Sequence, residues 1–158
     1  MQFHRDGFEV GDPDVRPGAR THPEQIPDVV DVAIVGAGPA GLVLAAQLAQ
    51  FPAITTRVIE RAAAPLELGR ADGIACRTVE MFHAFGFAER LVREAYWVNE
   101  TSFWQPSDVD SSRIVRTGRV DDVEDGLSEW PHVILNQARV HDYLLEVMRR
   151  SPSRLEPD

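Results

Sequence analysis

Apolar residues in this chain occur in two rhythms. Short runs rich in β-branched residues alternate with longer stretches in which apolar positions recur every three or four residues. The first run, Val29 to Val35 in "VVDVAIV", is interrupted only by Asp31 and Ala33. It predicts a largely buried parallel strand. From Pro39 the pattern turns helical through Leu42, Leu44, Ala45, Leu48 and Ala49. Pro39 suits a first helical turn. "TTRVIE" at 55–60 predicts a second strand, completing a βαβ unit.

Further on, Val79, Phe82 and Phe85 share one face of a short helix from Arg77 to Phe85, stopped at Gly86. Phe87 to Ala95 predicts another helical piece. "YWVNETSFW" (96–104), "SRIVRTGRV" (112–120) and "HVILN" (132–136) predict strands, and the acidic run 121–128 predicts a loop. A last helix is expected over Ala138 to Arg150, with Val140, Leu144, Leu145 and Val147 facing a core. Arg149 and Arg150 near its end suit the helix dipole. Residues 1–29, with four prolines among charges, read as an extended arm laid over the surface. The fold class expected is α/β: residues 30–158 form the N-terminal portion of a Rossmann-like dinucleotide-binding domain, βαβ plus additional strands and helices. Few strands are laid down for a doubly wound sheet, so the expectation is an incomplete domain from a longer protein.

Composition narrows the function classes. The chain has 158 residues, 44% of them hydrophobic, and a formal net charge of -9. That balance argues against a nucleic-acid partner, but backbone N–H groups can still bind an anionic cofactor. One cysteine forms no internal disulfide and suits a reducing, cytoplasmic setting. None of the 5 histidines pairs with another at metal-ligand spacing, so no metal site is expected. No apolar run is long enough to span a membrane.

The first chemical motif is Gly36, Gly38 and Gly41 in G-x-G-x-x-G, with Pro39 and Ala40 between the last two glycines. Such a motif is weak alone, but here a strand precedes it and a helix follows. Glu60 stands at the end of the next strand, near the expected spacing of about 20 residues. Gly36 makes the tight turn, Gly38 admits a pyrophosphate to the backbone, and Gly41 allows close helix–strand packing. Glu60 can accept hydrogen bonds from a ribose diol and would repel a 2′-phosphate. FAD and NAD remain open on this pattern.

The second motif is "LGRADGIACRTVEMF" (68–82), too polar for a simple connector. By itself Asp72 reads as a turn or capping aspartate before Gly73. Cys76 reads as a packing residue with no base near it in sequence. His132 reads equally as a strand-edge histidine or a ligand contact. Trp97, Trp104 and Trp130 read as core or lid residues.

"VAIVGAGPAGLVLAAQLA", "RADGIACRTVEMF", "EDGLSE" and "PHVILNQARVHD" together resemble the N-terminal part of FAD-dependent aromatic hydroxylases, the phenol 2-monooxygenase group. The resemblance implies FAD, NAD(P)H as co-substrate and molecular oxygen. It implies hydroxylation of a phenolic substrate, such as 3-hydroxybenzoate or phenol, through a flavin C4a-hydroperoxide. It places Gly36 to Gly41, Glu60 and Arg61 on the ADP half of FAD. Arg70, Arg77 and Gln137 become further cofactor contacts. Asp72 becomes the catalytic residue that accepts the phenolic proton and touches substrate, and His132 a contact to the substrate carboxylate. No membrane partner is implied, and a homodimer of a longer parent is allowed. Two alternatives stay open: a truncated flavin-binding module without turnover, and an NAD-dependent dehydrogenase with the same fingerprint.

Overall fold

The computed structural model describes residues 29–66, 71–123 and 126–157. The elements are β1 (Val32–Val35), α1 (Pro39–Leu48), β2 (Thr56–Ile59), β3 (Gly73–Ile74), α2 (Cys76–Ala84) and α3 (Ala88–Glu94). They continue with β4 (Tyr96–Val98), β5 (Glu100–Pro106), β6 (Ile114–Asp121), β7 (His132–Ile134) and α4 (Gln137–Arg150). The expected arm over 1–29 and the expected cofactor contact Arg70 lie outside the described residues, apart from Val29. The described residues divide into two compact units, one built on 29–66, 71 and 136–157, the other on 72–123 and 126–135.

In the first unit β1 and β2 pair in parallel, with Val32 opposite Thr56 and Val35 opposite Ile59. Ahead of the strands, the Asp31 carboxylate accepts from the Thr55 N–H at 2.8 Å and from its hydroxyl at 2.6 Å. Helix α1 packs on this sheet and against α4. Ala45, Ala46 and Ala49 are fully buried. Their small side chains let α4 approach and bury Tyr143, Leu144 and Met148. Beyond α4, the Ser153 N–H donates to the Ala49 carbonyl at 3.2 Å, and Pro157 forms a parallel bridge with Val58.

Strand β1 is not buried on both sides. Ile34 and Val58 are enclosed, whereas Val35 is 84% exposed and Ile59 45% exposed. Successive side chains of a strand point to opposite faces. Among the described residues only the face bearing Ile34 and Val58 is covered, so the β-branched run buries alternate residues. The register of α4 also differs from expectation at one position: Met148 is buried and Val147 only half-buried.

In the second unit β3, β7 and β4 form a three-stranded antiparallel sheet with β7 in the middle. Val133 of β7 is fully buried. Helices α2 and α3 bury Val79, Phe82, Ala88 and Leu91, and the Phe82 and Phe87 rings lie 4.8 Å apart. Gly86 has φ +83°, the left-handed stop that ends α2. β5 and β6 pair as a separate antiparallel ribbon with a register shift at Phe103/Trp104. Phe103 and Trp104 are both more than half exposed, so Trp104 is a ribbon residue and not a core one.

Candidate functional site

The turn between β1 and α1 has the geometry that the glycine spacing demands. Gly36 has φ +101°, a conformation L side chains rarely adopt, and its N–H donates to the Ile59 carbonyl at 2.7 Å. A Cβ on Gly41 would lie 2.0 Å from the Gly36 carbonyl oxygen and 3.3 Å from Ile34. The helix can meet the strand here only because position 41 has no side chain. A Cβ on Gly38 would meet nothing within 4 Å, so the space over the turn is open. Gly38 is the N-cap of α1 and Pro39 its first residue. The N–H groups of Ala40 and Gly41 belong to the first helical turn, which has no intrahelical acceptors. They lie at the positive end of the helix dipole.

Glu60 is tied directly to this turn. Its Oε2 accepts from the Ala37 N–H at 2.7 Å and its Oε1 from the Ala62 N–H at 2.8 Å. These two bonds, Ala62 first and Ala37 second, hold its carboxyl below the usual carboxylate range, and the neighbouring Arg61 charge acts in the same direction. A charged, oriented carboxylate therefore stands at the end of β2 beside the glycine turn. Arg61 is exposed. Open space over Gly38, donors at the helix start and a fixed acid on the next strand suit the pyrophosphate and ribose of a dinucleotide, FAD or NAD. Gln137 opens α4 in the same unit, where Asn136 caps the helix by accepting from the Ala138 N–H at 2.9 Å. A recess of about 300 Å³ in this unit lies at the other end of β2, beside Thr55, Thr56 and Ser153, away from the glycine turn.

Helix α4 also carries a buried polar stripe that sequence reasoning missed. Arg139 lies 4.3 Å over the Tyr143 ring, donates to its hydroxyl at 3.2 Å, and pairs with Asp142 at 3.6 Å. Glu146 pairs with Arg150. His141 is 5% exposed, and its Nε2 has no hydrogen-bond partner among the described residues. Burial pushes the His141 pKa down, with Glu60 acting in the opposite direction. The signal was the spacing of Arg139, Asp142, Tyr143 and Glu146 at three and four residues, which reads equally well as a solvent face.

The second unit gathers Asp72 and His132. The Asp72 carbonyl accepts from the Leu135 N–H at 2.8 Å, which extends the β3–β7 pairing to Asp72. The Asp72 residue is exposed. His132, the first residue of β7, places Nε2 3.5 Å from the position of a Cβ on Gly73. Its Nδ1 lies 2.7 Å from Oδ2 of Asp122, a partner that sequence reasoning did not single out. Arg77 points elsewhere: its side chain is 90% exposed and bonds Glu80 at 2.8 Å. Glu80 also accepts from the Ser128 hydroxyl at 2.7 Å. Cys76 is half-buried at the start of α2. Among the described residues, no group of three His, Cys, Asp or Glu could hold a metal ion, and no helix is long and apolar enough to cross a membrane.

Comparison with known proteins decides between the two dinucleotides. The profile described as FAD binding domain matches residues 29–156. This chain belongs to the FAD binding domain family. The dehydrogenase alternative thereby gives way, and FAD is the cofactor of this fold. The chain is 61% identical over 160 residues to 3-hydroxybenzoate 4-monooxygenase of Comamonas testosteroni, covering 99% of this chain and 25% of that protein. It is 46% identical over 121 residues to the FAD-dependent monooxygenase terD of Aspergillus terreus, covering 76% of this chain and 20% of that protein. Among solved structures, p-nitrophenol 4-monooxygenase PnpA from Pseudomonas putida DLL-E4 matches with a TM-score of 0.67 at 21% identity. That match covers 82% of this chain and 31% of the other, and it establishes the fold. The resemblance to FAD-dependent aromatic hydroxylases read from the motifs therefore holds. The chain spans about a quarter of the length of these curated relatives.

Proposed function

We propose that this chain is the cofactor-binding start of an aromatic-ring hydroxylase that consumes NAD(P)H and oxygen and acts on a phenol bearing a carboxylate, such as 3-hydroxybenzoate. The observation that carries this reading is the Glu60 carboxylate fixed on the Ala37 N–H at 2.7 Å, beside a glycine turn with open space above Gly38. The 61% identity to 3-hydroxybenzoate 4-monooxygenase supports the substrate class. Bound FAD supplies the relay of electrons from NAD(P)H and the activation of oxygen.

The chain's own residues supply binding and proton handling. Gly36, Gly38, Pro39, Ala40 and Gly41 hold the pyrophosphate with backbone N–H groups, and Glu60 takes the ribose hydroxyls. Arg61, Arg70, Arg77 and Gln137 act along the rest of the cofactor, with arginine matched to pyrophosphate oxygens. Asp72 accepts the phenolic O–H and so makes the ring more electron-rich. Phenolates are in general much stronger bases than carboxylates, so Asp72 acts by accepting a hydrogen bond from the phenol rather than by complete proton transfer. Its contribution depends on water being excluded when substrate binds. His132 holds the substrate carboxylate.

Asp72→Ala in the full-length hydroxylase tests the assignment. The variant is expected to keep its flavin spectrum and lose hydroxylation by about a hundredfold; normal turnover would remove Asp72 from the chemistry. A second reading, a flavin-binding module without turnover, is favoured by the 84% exposure of Val35 on a sheet face that no other described residues cover. A yellow chain whose NADPH oxidation ignores 3-hydroxybenzoate would support it. A chain that stays colourless with added FAD would exclude both readings for these 158 residues.

A further inference from the structure

The pairing of His132 with Asp122 goes beyond the substrate-contact role proposed for the histidine, and it rests on that role. The two ring nitrogens of a histidine are distinct, and the partner of one determines what the other can do. Here Nδ1 lies 2.7 Å from the Asp122 carboxylate. An ionised carboxylate only accepts, so Nδ1 carries the proton in this contact. Nε2 lies on the side of Gly73, where a Cβ would be 3.5 Å away, so the glycine leaves this nitrogen uncovered. Asp72 immediately precedes that glycine.

Asp122 is itself held in place. Its N–H donates to the Asn99 carbonyl at 3.1 Å, at the junction of β4 and β5. Its Oδ1 lies 3.5 Å from the Thr101 hydroxyl. The Asp122 side chain is 15% exposed and that of His132 30% exposed. β7 fixes His132 opposite Val98 of β4. An acid anchored on one strand junction thus orients a ring on the neighbouring strand.

We infer that Asp122 is a positioning residue acting through His132: it accepts a hydrogen bond from Nδ1–H and so presents Nε2 over Gly73 to the substrate carboxylate. With Nε2 also protonated, the imidazolium bridges two carboxylates, one permanent and one belonging to the substrate. Without Asp122 the ring can flip or change tautomer, and the edge facing the substrate is no longer fixed.

The nitrogen chemical shifts of His132 in the chain, recorded in alkaline buffer, test the orientation directly. Wild type is expected in the Nδ1–H form. Asp122→Ala should lower the ratio of Nδ1–H to Nε2–H by about tenfold, the worth of one charge-assisted hydrogen bond, and Asp122→Glu should restore part of it. An Nε2–H ring in wild type, needing no variant to fold, would overturn the inference; so would an unchanged ratio in a folded Asp122→Ala chain. In the full-length hydroxylase, Asp122→Ala should raise KM for 3-hydroxybenzoate about tenfold with a smaller change in kcat. An unchanged KM would equally overturn it. Failure of the hydroxylase reading would appear separately, as a parent that never hydroxylates the substrate while the His132 tautomer still follows Asp122.

Discussion

The cofactor site proposed around the glycine turn and the substrate site proposed around His132 are built by different means. At the glycine turn the chemistry is carried by backbone: a left-handed Gly36, an uncovered Gly38 and a Gly41 whose missing Cβ lets helix meet strand. One side chain, Glu60, completes it, and backbone amides hold that side chain. Around His132 the chemistry is carried by side chains, aligned by antiparallel register and by a carboxylate ten residues away in sequence. A backbone site tolerates little change in shape and is written in a local motif. A side-chain site depends on pairing that brings distant positions together, so a local motif records it poorly.

The sharpest way to break this contrast is Gly41→Ala. Its Cβ would meet a backbone oxygen at 2.0 Å, which no side-chain motion relieves. Overpacking of this kind is expected to cost about 3 kcal/mol and to abolish FAD binding. Urea unfolding with flavin-fluorescence titration would show it; a stable, FAD-binding variant would mean that backbone approach is not what the glycine provides. Glu60→Gln comes next. It removes the charge that two N–H groups hold, and FAD affinity should fall about tenfold or more, at about 1.5–3 kcal/mol for a hydrogen bond to a charged group. Isothermal titration would detect retention of wild-type affinity.

Acid should act on the glycine-turn unit in two stages. Burial lowers the His141 pKa from 6.5, so the folded state favours the neutral ring. The unfolded chain takes up that proton first, and stability is lost as pH falls below 6.5 towards the folded value. Glu60 is lowered from 4.5, so its contribution is present above that value and is lost as pH falls through its folded pKa. Urea midpoints measured from neutral to acid should therefore fall twice, and His141→Leu should flatten the first fall alone. The smallest effect is expected from Arg77→Ala. The Arg77–Glu80 pair is solvent-exposed, so stability should change by less than about 0.5 kcal/mol. A larger loss of FAD affinity with unchanged stability would place Arg77 on the cofactor.

The legible part of the structure was the local part. The βα turn and the helices over Pro39–Leu48, Cys76–Ala84 and Gln137–Arg150 could be read because capping, glycine and helical period act within a few residues. The burial of α4's polar stripe could not, because a helical spacing of Arg139, Asp142 and Glu146 is the same whether that face meets water or protein. The half-exposed state of β1 was also hidden: a β-branched run fits a strand covered on one face or on two.

By itself, then, the sequence determined that a strand, a tight glycine turn and a helix would form, with an acid at the end of the next strand, because each step follows from local backbone sterics and spacing. Tertiary structure alone decided that Glu60 would be locked onto Ala37 and that Asp122 would face His132. Those contacts depend on strand pairing and chain reversal, which act between residues far apart along the chain.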